Sequence, residues 1–205
     1  MLDYIYRPED QTIFTGRETE LSQLERHLLG KRPADLHLSG LRRIGKSMLI
    51  KEFILRHSAD PGVLPVYINM EELSEAPEDF AVKFIGWHLY WLYGKGETLP
   101  LPYLHLPSLI FQVPDQLLRD ALQPLLHELE RSRPDRQRLL QEAFAFPSLL
   151  AQFSGRRVLL FLDEFQEIAS LTNFSQAKNI LSLLRGAKDR AANVVWCICG
   201  SIISE

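Results

Sequence analysis

Eight consecutive residues, GLRRIGKS from Gly40 to Ser47, match the spacing G-x-x-x-x-G-K-[ST] at every defined position. Glycine at both defined positions tolerates backbone angles that other residues resist, and the amides of residues 42–47 can then surround an anion. In such a loop Lys46 reaches the β and γ phosphates of a nucleotide, and the Ser47 hydroxyl binds Mg²⁺. The spacing is that of the P-loop, or Walker A motif, and it predicts a phosphate-binding site.

A second group of candidate residues follows the apolar run at residues 158–162, which ends in Asp163 and Glu164. A continuous apolar run without alternation is typical of a strand that is covered on both faces of a parallel sheet. Ligands bind at the carboxyl ends of such strands. We therefore expect Asp163 to hold Mg²⁺ beside Ser47, and Glu164 to accept a proton from the water that attacks the γ phosphate. A strand that merely ends in solvated acidic residues is the simpler alternative.

A third candidate, Ser201, closes the apolar run NVVWCICGS at residues 193–201. A small polar side chain at the end of a buried strand could contact the γ phosphate or the attacking water, whereas an ordinary turn serine is an equally good explanation. The same run contains Cys197 and Cys199, which lie two residues apart and so on one face of a strand. This spacing predicts buried reduced thiols, and neither the cysteines nor the scattered histidines have the spacing of a transition-metal site.

The elements that must position these residues follow from hydrophobic periodicity. Apolar residues at 49, 50, 53 and 54 form one face of a helix that starts near Lys46, after a short strand at residues 36–39. Upstream, Thr15 is a candidate N-cap with Glu18 three places later, before a helix over residues 17–29. Further strands are predicted at 63–70, 158–162 and 193–201, and further helices at 77–93, 116–131 and 135–153. A last helix, with an N-cap near Asn173, places five apolar residues on its inner side: Phe174, Ala177, Ile180, Leu181 and Leu184.

Residues 94–116 interrupt this pattern because they contain four prolines, at positions 100, 102, 107 and 114, which remove backbone donors. The segment is predicted to be an insertion or surface loop without a regular helix across it. Its apolar residues pack on the body of the domain or dock a partner. We favour packing, because exposed apolar patches of that size are uncommon.

Length and composition indicate one globular domain, or one domain with a small appendage, since the chain has 205 residues of which 46% are hydrophobic and 24% charged. A net charge of −3 and a pI near 6.1 argue against a surface that is basic overall. A local cluster of arginines, Arg131, Arg133, Arg136 and Arg138, is explained by a solvated helix–helix turn or, less readily, by a partner or nucleic-acid surface. No uncharged apolar run approaches about 18 residues and the N-terminus has no signal-peptide pattern, so we expect a cytoplasmic protein without membrane contact.

Taken in order, four segments resemble the archaeal-type ATPase family within the AAA+ and STAND groups of P-loop ATPases. They are F-x-G-R-E-x-E-L at residues 14–21, the P-loop, L-F-L-D-E-F-Q-E-I at residues 160–168 and G-S at residues 200–201. The resemblance implies an α/β fold of the ASCE type, with a parallel sheet flanked by helices and the Ser201 strand between the P-loop strand and the Asp163 strand. It also implies that Ser201 stands at the sensor-1 position.

The resemblance and the motifs together imply ATP and Mg²⁺ as cofactors. The expected catalytic residues are Glu164, Lys46 and Ser201, and the expected Mg²⁺ ligands are Ser47 and Asp163. The expected nucleotide-binding residues are Phe14, Thr15 and Gly16 at the adenine, and Gly40, Leu41, Arg42, Arg43, Ile44, Gly45, Lys46, Ser47 and Met48 at the phosphates.

The family's fifth strand and helical lid should follow the Ser201 strand, whereas this chain stops at Glu205. We therefore expect residues 1–205 to be a single ATPase core that is truncated at its C-terminus and lacks the lid. An arginine finger from a neighbouring subunit is not assigned, because Arg185 and Arg190 are equally well explained as solvated helix ends.

Three functions fit these residues. An ATP hydrolase would use turnover to drive or reset a conformational change. A nucleotide-gated switch or scaffold of the STAND type would hydrolyse slowly and select a protein partner, or self-associate, according to the bound nucleotide. A DNA-directed AAA+ ATPase related to the origin-recognition proteins would contact nucleic acid through parts outside this chain. The GTPase motifs D-x-x-G and N-K-x-D are absent, which favours adenine over guanine.

Overall fold

The computed structural model describes residues 14–73, 76–93, 101–105, 109 and 112–201. In chain order the helices are α1 (Glu18–Leu29), α2 (Lys46–His57), α3 (Pro77–Tyr93), α4 (Leu101–Leu104), α5 (Gln116–Leu129), α6 (Arg136–Ser154) and α7 (Ile180–Arg190). The strands are β1 (Leu36–Gly40), β2 (Val63–Asn69), β3 (Arg157–Asp163) and β4 (Val194–Ser201). Short 3-10 helices span Met70–Leu73, Phe165–Asn173 and Ser175–Ala177.

The four described strands form one parallel sheet in the order β1-β4-β3-β2. β4 thus lies between β1 and β3, as the resemblance implies, and the predicted α/β fold class is confirmed. In the register of the sheet Gly40 pairs with Ser201, and Asn69 pairs with Asp163. Because all strands run in the same direction, their carboxyl ends meet at one edge of the sheet, which we call the carboxyl edge.

The core lies on both faces of β3, since every side chain from Val158 to Asp163 is buried. This burial confirms the prediction of a strand that is covered on both sides. Helix α1 packs on α2, and Phe53 of α2 lies against Phe161 of β3 with ring centroids 5.6 Å apart. Helices α3, α6 and α7 pack together as a second group. Within it α3 and α6 are in contact through three aromatic rings, Phe80, Phe84 and Phe144.

The predicted start of the first helix is wrong in one detail. Helix α1 begins at Glu18, the N-cap position is Arg17, and no side chain caps the helix there. Gly16, with a φ of 79°, turns the backbone into the left-handed region between Thr15 and the helix. Thr15 therefore lies outside the helix and is not the N-cap.

The last helix also starts later than predicted, at Ile180 instead of near Asn173. The residues before it form the two 3-10 helices that follow β3. Within α7 the buried residues are Ile180, Leu184 and Ala187, a stripe with spacings of four and three. Leu181 lies off this stripe and is 54% exposed, so its predicted place on the inner side is wrong.

Part of the proline-rich segment at 94–116 is described, and three apolar side chains of this part lie in the core. Tyr103, Leu109 and Val113 are each buried, and the Tyr103 ring packs against Tyr90 with centroids 5.8 Å apart. The single helical turn α4 is the regular structure in the described part; residues 94–100, 106–108 and 110–111 lie outside the described residues. Within the described ranges of the chain, none of the helices is long and apolar enough to span a bilayer.

The turn between α5 and α6 is built around the buried carboxylate of Glu128. It accepts hydrogen bonds from the backbone N–H of Asp135 at 2.8 Å and from Arg131 at 3.0 Å, and Arg138 lies 3.7 Å away. Arg136 pairs with Glu78 at 2.8 Å. Three arginines of the basic cluster thus have acidic partners within the chain, which supports a helix–helix turn over a nucleic-acid surface. The backbone N–H of Asp135 and the guanidinium of Arg131 lower the pKa of Glu128.

We predict that replacing Glu128 with Gln makes the stability of the protein less sensitive to acid. Because the pKa of Glu128 is lowered in the folded state, its contribution is fully present above its usual value of 4.5 and is lost as the pH falls through and below that value. The difference in urea midpoint between Glu128→Gln and the unmodified protein should therefore be larger at pH 7 than at pH 3. Glu130→Gln, at an exposed position two residues later, is the control. A midpoint difference that is the same at both pH values would contradict the prediction.

Candidate functional site

The loop from Gly40 to Ser47 joins the end of β1 to the start of α2, at the carboxyl edge of the sheet. Its backbone enters the left-handed region twice, at Arg43 with a φ of 64° and at Gly45 with a φ of 85°. Gly45 is the N-cap residue of α2, and glycine adopts this conformation without a Cβ penalty. The outer side of the loop is accessible, with Leu41 56% exposed. The positive end of α2 therefore opens onto an accessible loop of backbone amides.

Lys46 is the first residue of α2, and its side chain extends back to the ends of two strands. Nζ donates to the carbonyl oxygens of Gly40 at 3.2 Å and Leu41 at 3.0 Å, and to Oγ of Ser201 at 3.2 Å. The residue is only 9% exposed, and these three oxygens replace part of the hydration that the ammonium group loses on burial. The cation thus lies where the loop, β1 and β4 meet.

Glu164 follows the last residue of β3 and has a left-handed backbone, with φ 48° and ψ 45°. Such a conformation is uncommon for a residue other than glycine. The Ser201 hydroxyl lies 3.4 Å and 3.5 Å from the two carboxylate oxygens of Glu164, and Gln166 donates to one of them. Because Ser201 also accepts from Lys46, the three side chains form one line of contacts, which we call the Lys46–Ser201–Glu164 chain.

Asp163 is the last residue of β3, and it is buried among hydrogen-bond donors. Oδ2 accepts from the Tyr67 hydroxyl at 2.8 Å, and Oδ1 accepts from the backbone N–H of Glu164 at 3.0 Å. The Cys199 thiol is a third partner. Burial, followed by the negative charge of Asp163, raises the pKa of both Tyr67 and Cys199 above their ordinary values. Both groups therefore stay protonated and keep donating to the carboxylate.

The two cysteines are free and buried in β4, which confirms the prediction of reduced thiols. Burial raises the pKa of Cys197 to about 12. A thiol with so high a pKa carries almost no thiolate near neutral pH and is a poor nucleophile. We therefore assign the cysteines to packing and, for Cys199, to the support of Asp163.

The segment predicted to contact adenine lies beside the loop. Phe14 is half-buried against the core, whereas Thr15 and Gly16 are exposed. Arg17 connects this segment to the loop, because its guanidinium donates to the Ile44 carbonyl. The same guanidinium lies so close to Gly45 that a Cβ at that glycine would be 3.7 Å from Arg17 Cζ.

Some of the predicted site residues contact the Lys46–Ser201–Glu164 chain directly, and others lie away from it. Lys46, Ser201 and Glu164 are joined by direct contacts, Asp163 adjoins Glu164, and Ser47 adjoins Lys46. By contrast, the Arg42 side chain extends outward to an ion pair with Glu71 at 3.8 Å, in which both groups are exposed. Gly40 and Leu41 contribute their carbonyl oxygens to Lys46, and Met48 is half-buried in the first turn of α2.

Three residues at the site were not among the sequence candidates: Tyr67, Gln166 and Arg17. Tyr67 lies in an apolar run of β2 and has the sequence signature of a core aromatic residue, so no local signal marks its contact with Asp163. Gln166 and Arg17 do lie inside the two motif segments at residues 160–168 and 14–21. Both residues are polar and lie close in sequence to a candidate acid or to the loop, and this proximity is the signal that could have identified them.

The donor set at the carboxyl edge fits a triphosphate with Mg²⁺. Backbone amides at a helix N-terminus and the Lys46 ammonium are ligands for phosphate oxygens. The Ser47 hydroxyl and the Asp163 carboxylate are hard oxygen ligands of the kind that Mg²⁺ prefers. A carboxylate has about four acceptor positions, and the described hydrogen bonds from Tyr67 and from the backbone N–H of Glu164 use two of those at Asp163.

Comparisons with known proteins give a structural similarity but no sequence match. No protein-family model and no curated protein matches the sequence. Among solved structures, the chain is similar to the ORC2 protein of Aeropyrum pernix, determined as ADPNP-ADP complexes, with 17% sequence identity and a TM-score of 0.47. The similarity covers 92% of this chain but only 42% of the ORC2 chain. A similarity this low says nothing about the ligand or the activity of this chain.

Proposed function

We propose that this chain binds Mg-ATP at the carboxyl edge of its sheet and hydrolyses it, and that turnover drives or resets a conformational change. The observation that carries the proposal is the Lys46–Ser201–Glu164 chain. It joins a candidate phosphate-binding cation to a candidate general base through the strand that lies between them. Separate sequence motifs supply the three residues, and a chance match of one motif would not bring the others into contact with it.

In this proposal the amides of residues 42–47 bind the phosphates, and Lys46 exchanges its contacts with the Gly40 and Leu41 carbonyls for β and γ phosphate oxygens. Ser47 and Asp163 hold Mg²⁺, which neutralises part of the phosphate charge when it is bound. The segment Phe14 to Gly16 lines the adenine, and Arg17 keeps that segment beside the loop.

Glu164 acts as the general base. It takes a proton from a water molecule whose oxygen forms a bond to the γ phosphorus, while the bond from that phosphorus to the β–γ bridging oxygen breaks. The products are ADP and inorganic phosphate, and the proton leaves Glu164 for solvent. Ser201 keeps the carboxylate beside the γ phosphate position, because its hydroxyl contacts both Glu164 and Lys46.

A nucleotide-gated switch is a second candidate, because it fits the same sequence motifs. A switch uses the same phosphate site and differs in its rate of hydrolysis and in its response to the nucleotide. Self-association measured in ATP and in ADP tests this candidate, since equal association in both states excludes it. A DNA-directed role would need parts outside this chain.

The proposed function leads to three predictions, the first of which concerns Lys46. Replacing Lys46 with Ala should weaken ATP binding by about 100-fold or more, because a charge-assisted contact to phosphate in a partly buried site is lost. Calorimetric titration with ATP measures the change. Lys31→Ala is the matched control, because Lys31 is exposed and precedes β1, at the opposite end of that strand. Equal ATP affinity in the Lys46 and Lys31 variants would exclude the proposed phosphate site.

The second prediction concerns Glu164. Replacing Glu164 with Gln keeps the size of the side chain but removes the base, so ATP should stay bound while phosphate release falls by about 100-fold or more. Phosphate release and ATP affinity are measured on the same preparation. Glu167→Gln, which alters a partly exposed carboxylate in the 3-10 helix after β3, is the control. Normal turnover in the Glu164 variant would remove this residue from the mechanism.

The third prediction concerns Mg²⁺. In the unmodified protein ATP should bind more tightly with Mg²⁺ than with a chelator, because Ser47 and Asp163 supply metal ligands. Replacing Asp163 with Asn should reduce this difference several-fold and leave the affinity in chelator unchanged. Titrations with and without Mg²⁺ measure both quantities. An Asp163 variant that keeps the full Mg²⁺ effect would show that the metal is held elsewhere.

A further inference from the structure

We propose that Gln166 is a positioning residue, which holds the Glu164 carboxylate against the end of β4 and thereby sets the rate of hydrolysis without contributing to ATP affinity. The inference rests on the proposed function, because a general base needs a substrate on which to act. It extends that function to a residue with no other assigned role, two positions after Glu164 in the 3-10 helix Phe165–Asn173.

The side-chain amide of Gln166 bridges two strand ends. Its Nε2 donates to Oε2 of Glu164, and its Oε1 accepts from the backbone N–H of Ser201 at 3.3 Å. The Gln166 amide oxygen lies close to the backbone of β4, since a Cβ at Gly200 would be 3.3 Å from Gln166 Oε1. Gln166 is half-buried, so these contacts are partly shielded from water. The amide therefore links the residue after β3 to the last residue of β4.

Only a group with both a donor and an acceptor can make this bridge. A glutamine amide supplies both, whereas a glutamate at the same position keeps the acceptor but lacks the donor, and a methionine lacks an amide altogether. The amide nitrogen of Gln166 donates to the Glu164 carboxylate. Hydrogen bonds to a charged group are stronger than those between neutral groups. The bridge thus explains why a glutamine is suited to this position.

Glu164 needs such a partner because its side chain has few other restraints, although its backbone N–H donates to Asp163. Its left-handed backbone is unfavourable for a residue with a Cβ, and a glutamate side chain has considerable rotamer freedom. A general base must lie within hydrogen-bond reach of the attacking water, and an error of about 1 Å can reduce the rate about 100-fold. Ser201 provides one restraint at 3.4 Å, and Gln166 provides the other.

The kinetic experiment compares Gln166→Met and Gln166→Glu with the unmodified protein. We expect kcat for ATP hydrolysis to fall about tenfold or more in both variants, with the Kd for ATP changed less than about twofold. The Met variant preserves the size of the side chain, and the Glu variant preserves the acceptor toward Ser201. Gln123→Met, at an exposed position of α5, controls for the loss of an amide elsewhere.

Two outcomes would overturn the inference. An unchanged or increased kcat in the Met and Glu variants would show that Gln166 does not position the base. A parallel loss of kcat and ATP affinity would show that the substitution disturbs the whole site, as a purely structural residue would. A fall in kcat alone supports the positioning role.

A second measurement does not depend on ATP. The unfolding equilibrium in urea is compared among the unmodified protein, Gln166→Met, Glu164→Ala and the double variant, and we expect a coupling of about threefold or more in the equilibrium constant. Absence of coupling overturns the inference whatever the kinetics. If coupling is present but the unmodified protein binds no ATP, the proposed function fails while the Gln166–Glu164 contact is established.

Discussion

The site depends on the position of β4 between β1 and β3. Neighbouring strands lie about 4.8 Å apart, so the ends of β1 and β3 are separated by roughly 9.6 Å, which leaves room for a residue of β4 between them. Ser201 fills the interval, because the register of the sheet places it opposite Gly40. Its hydroxyl contacts Lys46 on one side and Glu164 on the other. One parallel register thus assembles groups from three separate stretches of chain.

Burial of the sheet supports the charges at its edge. Asp163 is held by the Tyr67 hydroxyl, and the Tyr67 carbonyl in turn accepts from Nε1 of Trp91 in α3 at 2.9 Å. A buried carboxylate is costly unless it is paired or hydrogen-bonded, and donors that stay protonated meet this requirement at any pH near neutrality. The aromatic packing of α3 therefore does more than fill the core, because it also fixes a hydrogen-bond donor to the candidate metal ligand.

Backbone strain is concentrated at the same edge. Among the described residues other than glycine, three have positive φ: Arg43 in the loop, Glu164 after β3 and Asn193 before β4. Two of the three belong to the proposed site. Such conformations persist where surrounding contacts determine them, and they are frequent at functional sites. At Glu164 the backbone N–H donates to Asp163 and the carbonyl accepts from the backbone N–H of Glu167, while Gln166 and Ser201 hold the carboxylate toward β4.

The sequence alone determined the fold class, most helices and strands, and the candidate groups for the proposed chemistry, because these depend on local periodicity and on the spacing of a few residues. It predicted the loop at Gly40 to Ser47, the acids at the end of β3 and the serine at the end of β4. It misplaced the start of α7, because 3-10 helices occupy the residues before Ile180. It also misplaced the N-cap of α1, because the left-handed Gly16 separates Thr15 from the helix. Only the tertiary structure decided that Tyr67, Gln166 and Arg17 belong to the site. Their partners are distant in the chain or lie across a turn, so the contacts exist only after the strands have aligned in register and the helices have packed.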